Sequence, residues 1–206
     1  MTRENYLIDS IDQLEEIYDK PVGGSILKET SIINDDYRQL IESATFFAIA
    51  SIGSEGMDCS PRGDEPGFIR ILDHETLAIP DRRGNNRLDT IKNIVQDSRV
   101  ALLLLIPGLN ETVRINGNAQ LSVEPGLLES FKVDGKAPKC VIVIKLKTMY
   151  FQCARALKRS RLWDATTHVD PAAMPTAGGL IKSVVSDFDQ ASYDSSLQQR
   201  QEKTLY

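Results

Sequence analysis

Apolar residues recur along this chain with two periods, and the change from one to the other organises it. Between residues 10 and 18, Ile11, Leu14, Ile17 and Tyr18 repeat at three- and four-residue intervals, the signature of one helical face, with Ser10 placed to cap its first turn. Pro21 and the Gly23-Gly24 pair then interrupt the chain. A second helical pattern runs from Asn34 to about Ser43 and presents Tyr37, Leu40 and Ile41.

From Phe46 onward the pattern is that of strands. Phe46 to Ile52 is apolar and ends in Gly53-Ser54-Glu55-Gly56, a hairpin turn. Met57 to Arg62 follows, interrupted by Pro61, and Gly67 to Leu72 and Glu75 to Ile79 are short strands joined at Asp73-His74. A helix is predicted from Arg87 to about Gln96, with Leu88, Ile91, Ile94 and Val95 inward. Val100 to Ile106 is a nearly continuous apolar run, the pattern of a strand buried on both faces. Glu111 to Leu121 alternates, Val113 and Ile115 against Thr112, Arg114 and Asn116, so one of its faces is polar. Pro125 opens a short helix over Glu124 to Phe131, at the position where proline is tolerated. Cys140 to Phe151 is the last long strand, with Val141, Val143 and Leu146 assigned to one side. Arg155 to Leu162 is helical and basic, and the polar tail from Asp170 carries Pro171 and Pro175 before a helix over Leu180 to Gln199. Five or six short strands joined by hairpins, with one helix inserted among them, predict a mainly β fold with flanking helices: a small antiparallel barrel rather than a βαβ sheet. Residues 1–29 form an N-terminal helical segment, 30–165 the barrel, and 166–206 a partly helical tail.

Composition narrows this picture. The chain has 206 residues, 41% hydrophobic and 26% charged, the balance of one soluble globular domain. Its formal charge of −5 argues against a general nucleic-acid binder, so a basic cluster within it points to one small anionic ligand. Cys59, Cys140 and Cys153 give no disulfide framework and no metal-ligand spacing, and neither His74 nor His168 is near a cysteine in sequence; no metal is expected. Met1 to Asn5 lacks the apolar run of a signal peptide, and no segment approaches ~18 apolar residues. The expected setting is the cytoplasm, with no membrane partner.

Three stretches carry candidate chemistry. The first is Ile79-Pro80-Asp81-Arg82-Arg83-Gly84-Asn85-Asn86-Arg87, between a strand and a helix. Amides at a helix start point outward, the helix dipole favours an anion, and arginine forks grip phosphate oxygens in pairs. Arg83, Asn85, Asn86 and Arg87 are the donors in that reading; the alternative is a solvated basic loop neutralised by Glu15, Glu16, Asp89 or Asp97. No Walker A loop and no GxGxxG occurs in the chain. The second is Ser60-Pro61-Arg62-Gly63-Asp64, where a proline within a strand demands an edge or a bulge. Either Arg62 and Gly63 approach a ligand, or the strand ends in an ordinary turn with Gly63 at positive φ and with Asp64 and Glu65 as turn residues. The third is Phe151 to Trp163, in which Gln152, Lys158, Arg159 and Trp163 either complete a pocket or form a basic helix face with a packed tryptophan. Cys153 is expected to be a small core residue, His74 an exposed turn residue, and His168 part of the tail.

The order of Ser60-Pro61-Arg62-Gly63-Asp64, Asp81-Arg82-Arg83-Gly84-Asn85-Asn86-Arg87 and Val113-Arg114-Ile115-Asn116-Gly117 resembles the pyridoxamine 5′-phosphate oxidase-like family of FMN-binding split barrels. The chain is similar to a bacterial branch of that family, expected to be FMN-dependent, that carries an SPRGD-PGF stretch and an RRGNNR loop. The resemblance spans roughly residues 30–165 and implies an antiparallel split β-barrel. It implies a homodimer with FMN at the interface. The phosphate would lie on the loop ending at Asn86 and Arg87, with Asn86 where the family often has arginine and the displaced charge moved to Arg82 or Arg83. Ile79, Pro80 and Asp81 would lend backbone groups to the flavin ring, Arg62, after Ser60, a cation near the ribityl or phosphate group, and Thr112 and Arg114 would reach the partner's flavin. Arg159-Ser160-Arg161-Leu162-Trp163 lacks the arginine–histidine motif and Arg-Leu-x-Pro ending of members that form pyridoxal phosphate, which separates the chain from a true pyridoxamine 5′-phosphate oxidase. The implied function is an FMN-dependent oxidoreductase acting on a small-molecule substrate or electron donor, no catalytic side chain being assigned. Alternatives are a non-catalytic flavin carrier, a deazaflavin in place of FMN, and a regulator whose arginine loop holds another nucleotide or an RNA end.

Overall fold

The computed structural model describes residues 6–21 and 23–206; the Met1–Asn5 stretch, free of a signal-peptide pattern, lies outside them. Local sequence sets the first helices. Ser10 accepts the Gln13 N–H and starts α1 (Ile11–Ile17), but Ile11, Leu14, Ile17 and Tyr18 all remain exposed. After α2 (Gly23–Leu27), Asn34 accepts the Tyr37 N–H at 3.0 Å and starts α3 (Asp35–Ser43), whose Tyr37 and Ile41 enter the core. The Tyr37 hydroxyl accepts the Phe151 N–H, fastening α3 to the sheet.

Seven strands form one antiparallel sheet: β1 (Phe46–Gly53), β2 (Gly56–Gly63), β3 (Arg70–Asp73), β4 (Thr76–Pro80), β5 (Arg99–Leu105), β6 (Thr112–Ser122) and β7 (Val141–Gln152), in the order β2-β1-β5-β6-β7-β4-β3. This exceeds the five or six expected because β2 pairs with β1 along its whole length despite Pro61. Proline is tolerated there because β2 is an edge strand and uses only half of its N–H groups. The register is unbroken, so the bulge predicted as one alternative is absent, and Gly63 does not adopt positive φ. Gly56, which closes the β1–β2 hairpin, does, at φ 106°.

The sheet is curled. β1 and β4 stand four places apart in it, yet Phe47 and Ile49 of β1 share one core with Leu77 and Ile79 of β4. Its edge strands do not pair with each other, which leaves the barrel split. A bulge at Lys147, where the β6–β7 register shifts beside Gly117, turns Met149 into the core in place of Thr148. Leu146 consequently faces the core with Ile142 and Ile144, whereas Val141 packs with Ala78, Phe131 and Val143 on the other side. That corrects the sequence assignment of Val141, Val143 and Leu146 to a single face.

α4 (Asp89–Gln96) lies against β1 and β6 and buries Thr90 and Ile94. Glu124 caps α5 (Pro125–Ser130) by accepting the Gly126 and Leu127 N–H groups. Beyond α6 (Arg155–Ser160), the single expected tail helix is two, α7 (Ala177–Lys182) and α8 (Gln190–Lys203). Asp189 caps the start of α8, and Asp194 accepts from the Thr176 hydroxyl and the Gly178 N–H, so side-chain caps restart the helix and fold the pair together. Among the described residues no helix is long and apolar enough to cross a membrane.

Several burial expectations fail: Leu88 and Val95, assigned inward, are 44% and 74% exposed. β5 was expected to be buried on both faces, but only Val100, Leu102 and Leu104 are; Leu103, on the outer face, is 39% exposed. Cys153, assigned to the core, is exposed because the strand ends at Gln152 and the chain turns outward into α6. His74 and His168 are both exposed.

Candidate functional site

Alternation on β2 builds the first part of the site. Asp58, Ser60 and Arg62 lie opposite Ser51, Ile49 and Phe47 of β1, so they share the core-facing side of the sheet. At the edge of the barrel this row meets α4 rather than another strand. The Ser60 and Thr90 hydroxyls both donate to Asp58 Oδ2, at 2.9 and 2.7 Å, joining β2 to the first turn of α4. Arg62 Nη1 donates to the Pro61 carbonyl, Nη2 stands 3.8 Å from Asp81 Oδ1, and the buried Nε has no hydrogen-bond partner among the described residues.

Ion pairs bridge the split where ladder hydrogen bonds do not. Arg82 Nε donates to Asp64 Oδ2 at 2.6 Å, and its Nη1 donates to the Phe131 carbonyl at 2.6 Å. The end of β2 is thereby tied to the chain leaving β4, with Arg62–Asp81 beside it. Burial raises the Asp64 carboxyl, but hydrogen bonds from Tyr206, Arg82 and the Glu65 N–H outweigh it and hold the group below the usual carboxylate range. Asp81 goes the other way: burial pushes it up more than Arg62 and Lys139 pull it down. The Asp81 N–H donates to the Cys140 carbonyl, and burial, together with the Asp81 charge, pushes the Cys140 thiol up to about 11.

Beyond Arg82 the loop opens. Arg83 through Leu88 are exposed, and the backbone N–H groups of Arg83, Gly84, Asn85 and Asn86 have no partner among the described residues. Asn86 and Leu88 adopt left-handed φ of 61° and 60°, and α4 therefore begins at Asp89, two residues later than predicted from Arg87. Two left-handed residues cannot continue a right-handed helix. Arg87 donates its N–H to Asn85 Oδ1 and pairs with Asp89 at 2.5 Å, yet its side chain is 80% exposed. Of the four acids expected to neutralise the loop, only Asp89 does so; Asp97 pairs with Arg99.

The other predicted residues lie elsewhere. Thr112 opposes Gln152, and Arg114 opposes Tyr150, whose ring lies 5.8 Å from the guanidinium; register puts these on the side of the sheet opposite Arg62, where Arg114 is exposed and Thr112 is buried. Trp163 Nε1 donates to the Leu109 carbonyl at 2.7 Å and holds the tail on the β5–β6 turn. Lys158 and Arg159 are exposed on α6. Pro80 pairs with Val141 and Thr112 with Gln152, at opposite ends of β7, about 36 Å along an extended strand. Within one chain the candidates thus form two groups: Ser60, Arg62 and residues 79–87 at the split, and Thr112, Arg114 and Gln152 on the other side of the sheet, with Trp163 on the β5–β6 turn.

Sequence reasoning missed Asp58, Thr90, Tyr206 and the anchoring role of Asp64. The period-two row Asp58, Ser60, Arg62, Asp64 carries a signal for two of these positions, Asp58 and Asp64, since it marks one side of β2 and its continuation as polar. Tyr206 has no local signal.

The outer face has its own character. Register aligns Pro61, Ala48, Leu103, Arg114 and Tyr150 across five strands, with Cys59, Ala50, Ala101, Asn116 and Thr148 in the next row. Beside these rows a shallow cavity of about 360 Å³ is lined by Ala50, Ile52, Met57, Arg99, Ala101 and Asn116, among others.

A family model described as pyridoxamine 5′-phosphate oxidase matches residues 33–153, and the chain belongs to that family. Among solved structures it is similar to HupZ of Group A Streptococcus, at 18% identity over 58% of this chain and 94% of that one, with a TM-score of 0.47. A protein of Lactobacillus delbrueckii described as a candidate pyridoxamine 5′-phosphate oxidase is 16% identical over 59% of this chain and 95% of its own, with a TM-score of 0.47. An F420 reductase is 16% identical over 57% of this chain and 98% of its own, with a TM-score of 0.42. No curated protein matches the chain.

Proposed function

We propose that this member of the pyridoxamine 5′-phosphate oxidase family binds FMN at the split of its barrel and works as a homodimeric, flavin-dependent oxidoreductase. The observation that carries the reading is the open half of the 79–88 loop. Unpartnered amides, two asparagines, Arg83 and Arg87 gather there at the start of α4, and the unpartnered Arg62 Nε lies on the β2 row that meets the same helix. A phosphate would supply the acceptors that the open amides lack and compete with Asp89 for the exposed Arg87. The donor set fits FMN, and no group of three His, Cys, Asp or Glu able to hold a metal occurs among the described residues.

In this reading Arg83, Asn85, Asn86 and Arg87 hold the phosphate, with Ser60 flanking it. Ile79, Pro80 and Asp81 present backbone groups to the ring, and Arg62 supplies positive charge beside it, which favours the reduced, anionic form. FMN bound there supplies hydride chemistry at its ring nitrogen N5. A side-chain acid or base is not required. Arg82 is engaged with Asp64 and Phe131, so the charge missing at Asn86 falls to Arg83.

The two-group geometry supports the homodimer. Thr112, Arg114 and Gln152 lie on the side of the sheet away from Arg62 in their own chain, and with Trp163 they would complete a site on a partner's ligand. The half-open apolar face of β5, patterned for burial on both sides, supports a second copy lying there.

Absorbance of the purified protein, with FMN added in titration, tests the reading. A flavin band that fades with reduced nicotinamide is the expected result; a band that no donor bleaches identifies a carrier, and no flavin uptake rejects both. Leu103→Lys, which puts a charge on the outer face, should convert a sedimenting dimer to monomer and release FMN with it. A monomeric wild type would reject the shared site.

A further inference from the structure

Tyr206 lies three residues past the end of α8 and far in sequence from every element of the split, yet it makes three separate contacts there. Its hydroxyl donates to Asp64 Oδ1 at 2.6 Å, while the other Asp64 oxygen takes the Arg82 Nε. Its ring lies 5.3 Å from the Arg82 guanidinium. Its main-chain carbonyl accepts from Lys136 Nζ at 3.0 Å, and Lys136 belongs to the tight turn that bridges back to Val133. α8 itself has no buried residue, so burial of the helix does not account for where the tail runs.

These contacts converge on one side chain. Arg82 is gripped by Asp64, by the Phe131 carbonyl and by the Tyr206 ring, and it is the last anchored residue before the open loop. Whatever fixes Arg82 fixes the direction in which residues 83–88 leave the scaffold. A guanidinium held in its plane by a carboxylate and a carbonyl keeps its flat faces free for an aromatic cover, and Tyr206 supplies both that cover and a hydrogen bond to the same carboxylate. The tail thus reaches the loop through the pair that spans the split rather than through any residue assigned to the ligand.

We infer that Tyr206 is a positioning residue for the phosphate loop, acting through Asp64 and Arg82 to hold residues 83–88 in their ligand-ready arrangement. This rests on the FMN reading for its ligand but not for its geometry.

The test uses the full chain as wild type, Tyr206→Phe and Tyr206→Ala. Titrations with FMN and with riboflavin, followed by flavin fluorescence, are paired with amide hydrogen exchange, in the absence of flavin, of Asp81, which donates to the Cys140 carbonyl, and Arg87, which donates to Asn85 Oδ1. Tyr206→Ala should weaken FMN binding about tenfold and leave riboflavin binding unchanged, because only the phosphate uses the loop. Tyr206→Phe, which keeps the ring over Arg82, should fall between. Exchange at Asp81 and Arg87 should quicken in the same order. If wild type binds FMN and both variants bind it equally well, the inference is overturned and the FMN reading stands. If wild type takes up no FMN, that reading fails, and hydrogen exchange alone decides: unchanged exchange in Tyr206→Ala overturns the positioning role, and faster exchange upholds it. A lowered melting temperature with unchanged FMN affinity and unchanged loop exchange marks a merely structural contact and also overturns it.

Discussion

The two halves of the loop after β4 carry similar residues and are held in opposite ways. In the first half, Asp81 and Arg82 are half-buried and tied to the far edge of the sheet through Arg62 and Asp64. In the second half, Arg83 through Leu88 are exposed, two residues are left-handed, and the amides are open. Arg82 and Arg87 are both arginines paired with aspartates, yet Arg82–Asp64 spans the split with the Asp64 side chain only 4% exposed, whereas Arg87–Asp89 lies on the surface two residues apart. The same pair of residue types closes a scaffold in one place and lies open on the surface in the other. Burial decides which, because a desolvated charge cannot exchange its partner without large cost, while an exposed one gains little from a local pair.

The largest effect expected from this contrast is at Asp64. Asp64→Ala leaves Arg82 half-buried without its carboxylate and should destabilise the fold by about 3 kcal/mol, or roughly 6–12 °C in Tm. Because the Asp64 carboxyl is depressed in the folded state, its contribution is present above the unfolded pKa near ~3.9 and is lost as pH falls through the lower folded value. The wild-type advantage over Asp64→Ala should therefore shrink in acid, which thermal melts at neutral and acid pH will show; a constant gap would remove the carboxylate from the anchor.

Arg87→Ala should do the reverse. Loss of a charge-assisted phosphate contact should weaken FMN binding by about 1.5–3 kcal/mol, tenfold to a hundredfold, with Tm nearly unmoved. An unchanged titration curve would take Arg87 out of the site, and a large drop in Tm would erase the distinction between the halves. Arg3→Ala, outside the described residues, serves as the control and should leave the titration unchanged.

A smaller effect tests the left-handed backbone. Asparagine tolerates the φ of 61° at position 86, but a β-branched residue does not, so Asn86→Val should cost about 1–2 kcal/mol of stability or shift the loop and weaken FMN. Neither change in melting nor in titration would mean that the open half has no fixed conformation.

The last test is chemical. With its thiol pushed up to about 11, Cys140, whose carbonyl holds the anchored half, should react with a thiol reagent roughly a hundredfold more slowly at neutral pH than exposed Cys59 or Cys153. Comparable rates at all three positions, read by mass spectrometry, would show that the anchored half opens freely.

Much of this was legible in one dimension. Asn34 and Ser10 announced their helices because a cap is a local hydrogen bond. The antiparallel barrel followed from hairpin spacing, and the 79–87 loop from its composition. What escaped were statements about partners distant in the chain. The start of α4 moved because left-handed residues at Asn86 and Leu88 leave no mark in a periodicity count, and leucine is a poor sign of such a conformation. Cys153 was assigned by the apolar residues preceding it, but the strand ends one residue earlier and the chain turns outward. The two-sided apolar pattern of β5 predicted burial on both faces, but the chain buries one side only.

The sequence by itself determined the periods, the turns, the caps and the concentration of arginine and asparagine after β4, because each rests on interactions within a few residues. Tertiary structure alone decided that Arg82 belongs to the scaffold and Arg83 and Arg87 to the open loop, that Asp64 spans a split between two sheet edges, and that Tyr206 returns to cover the pair. Those outcomes depend on which charges are drawn out of water together, and curling the sheet brings residue 64 to residue 82 and both to residue 206.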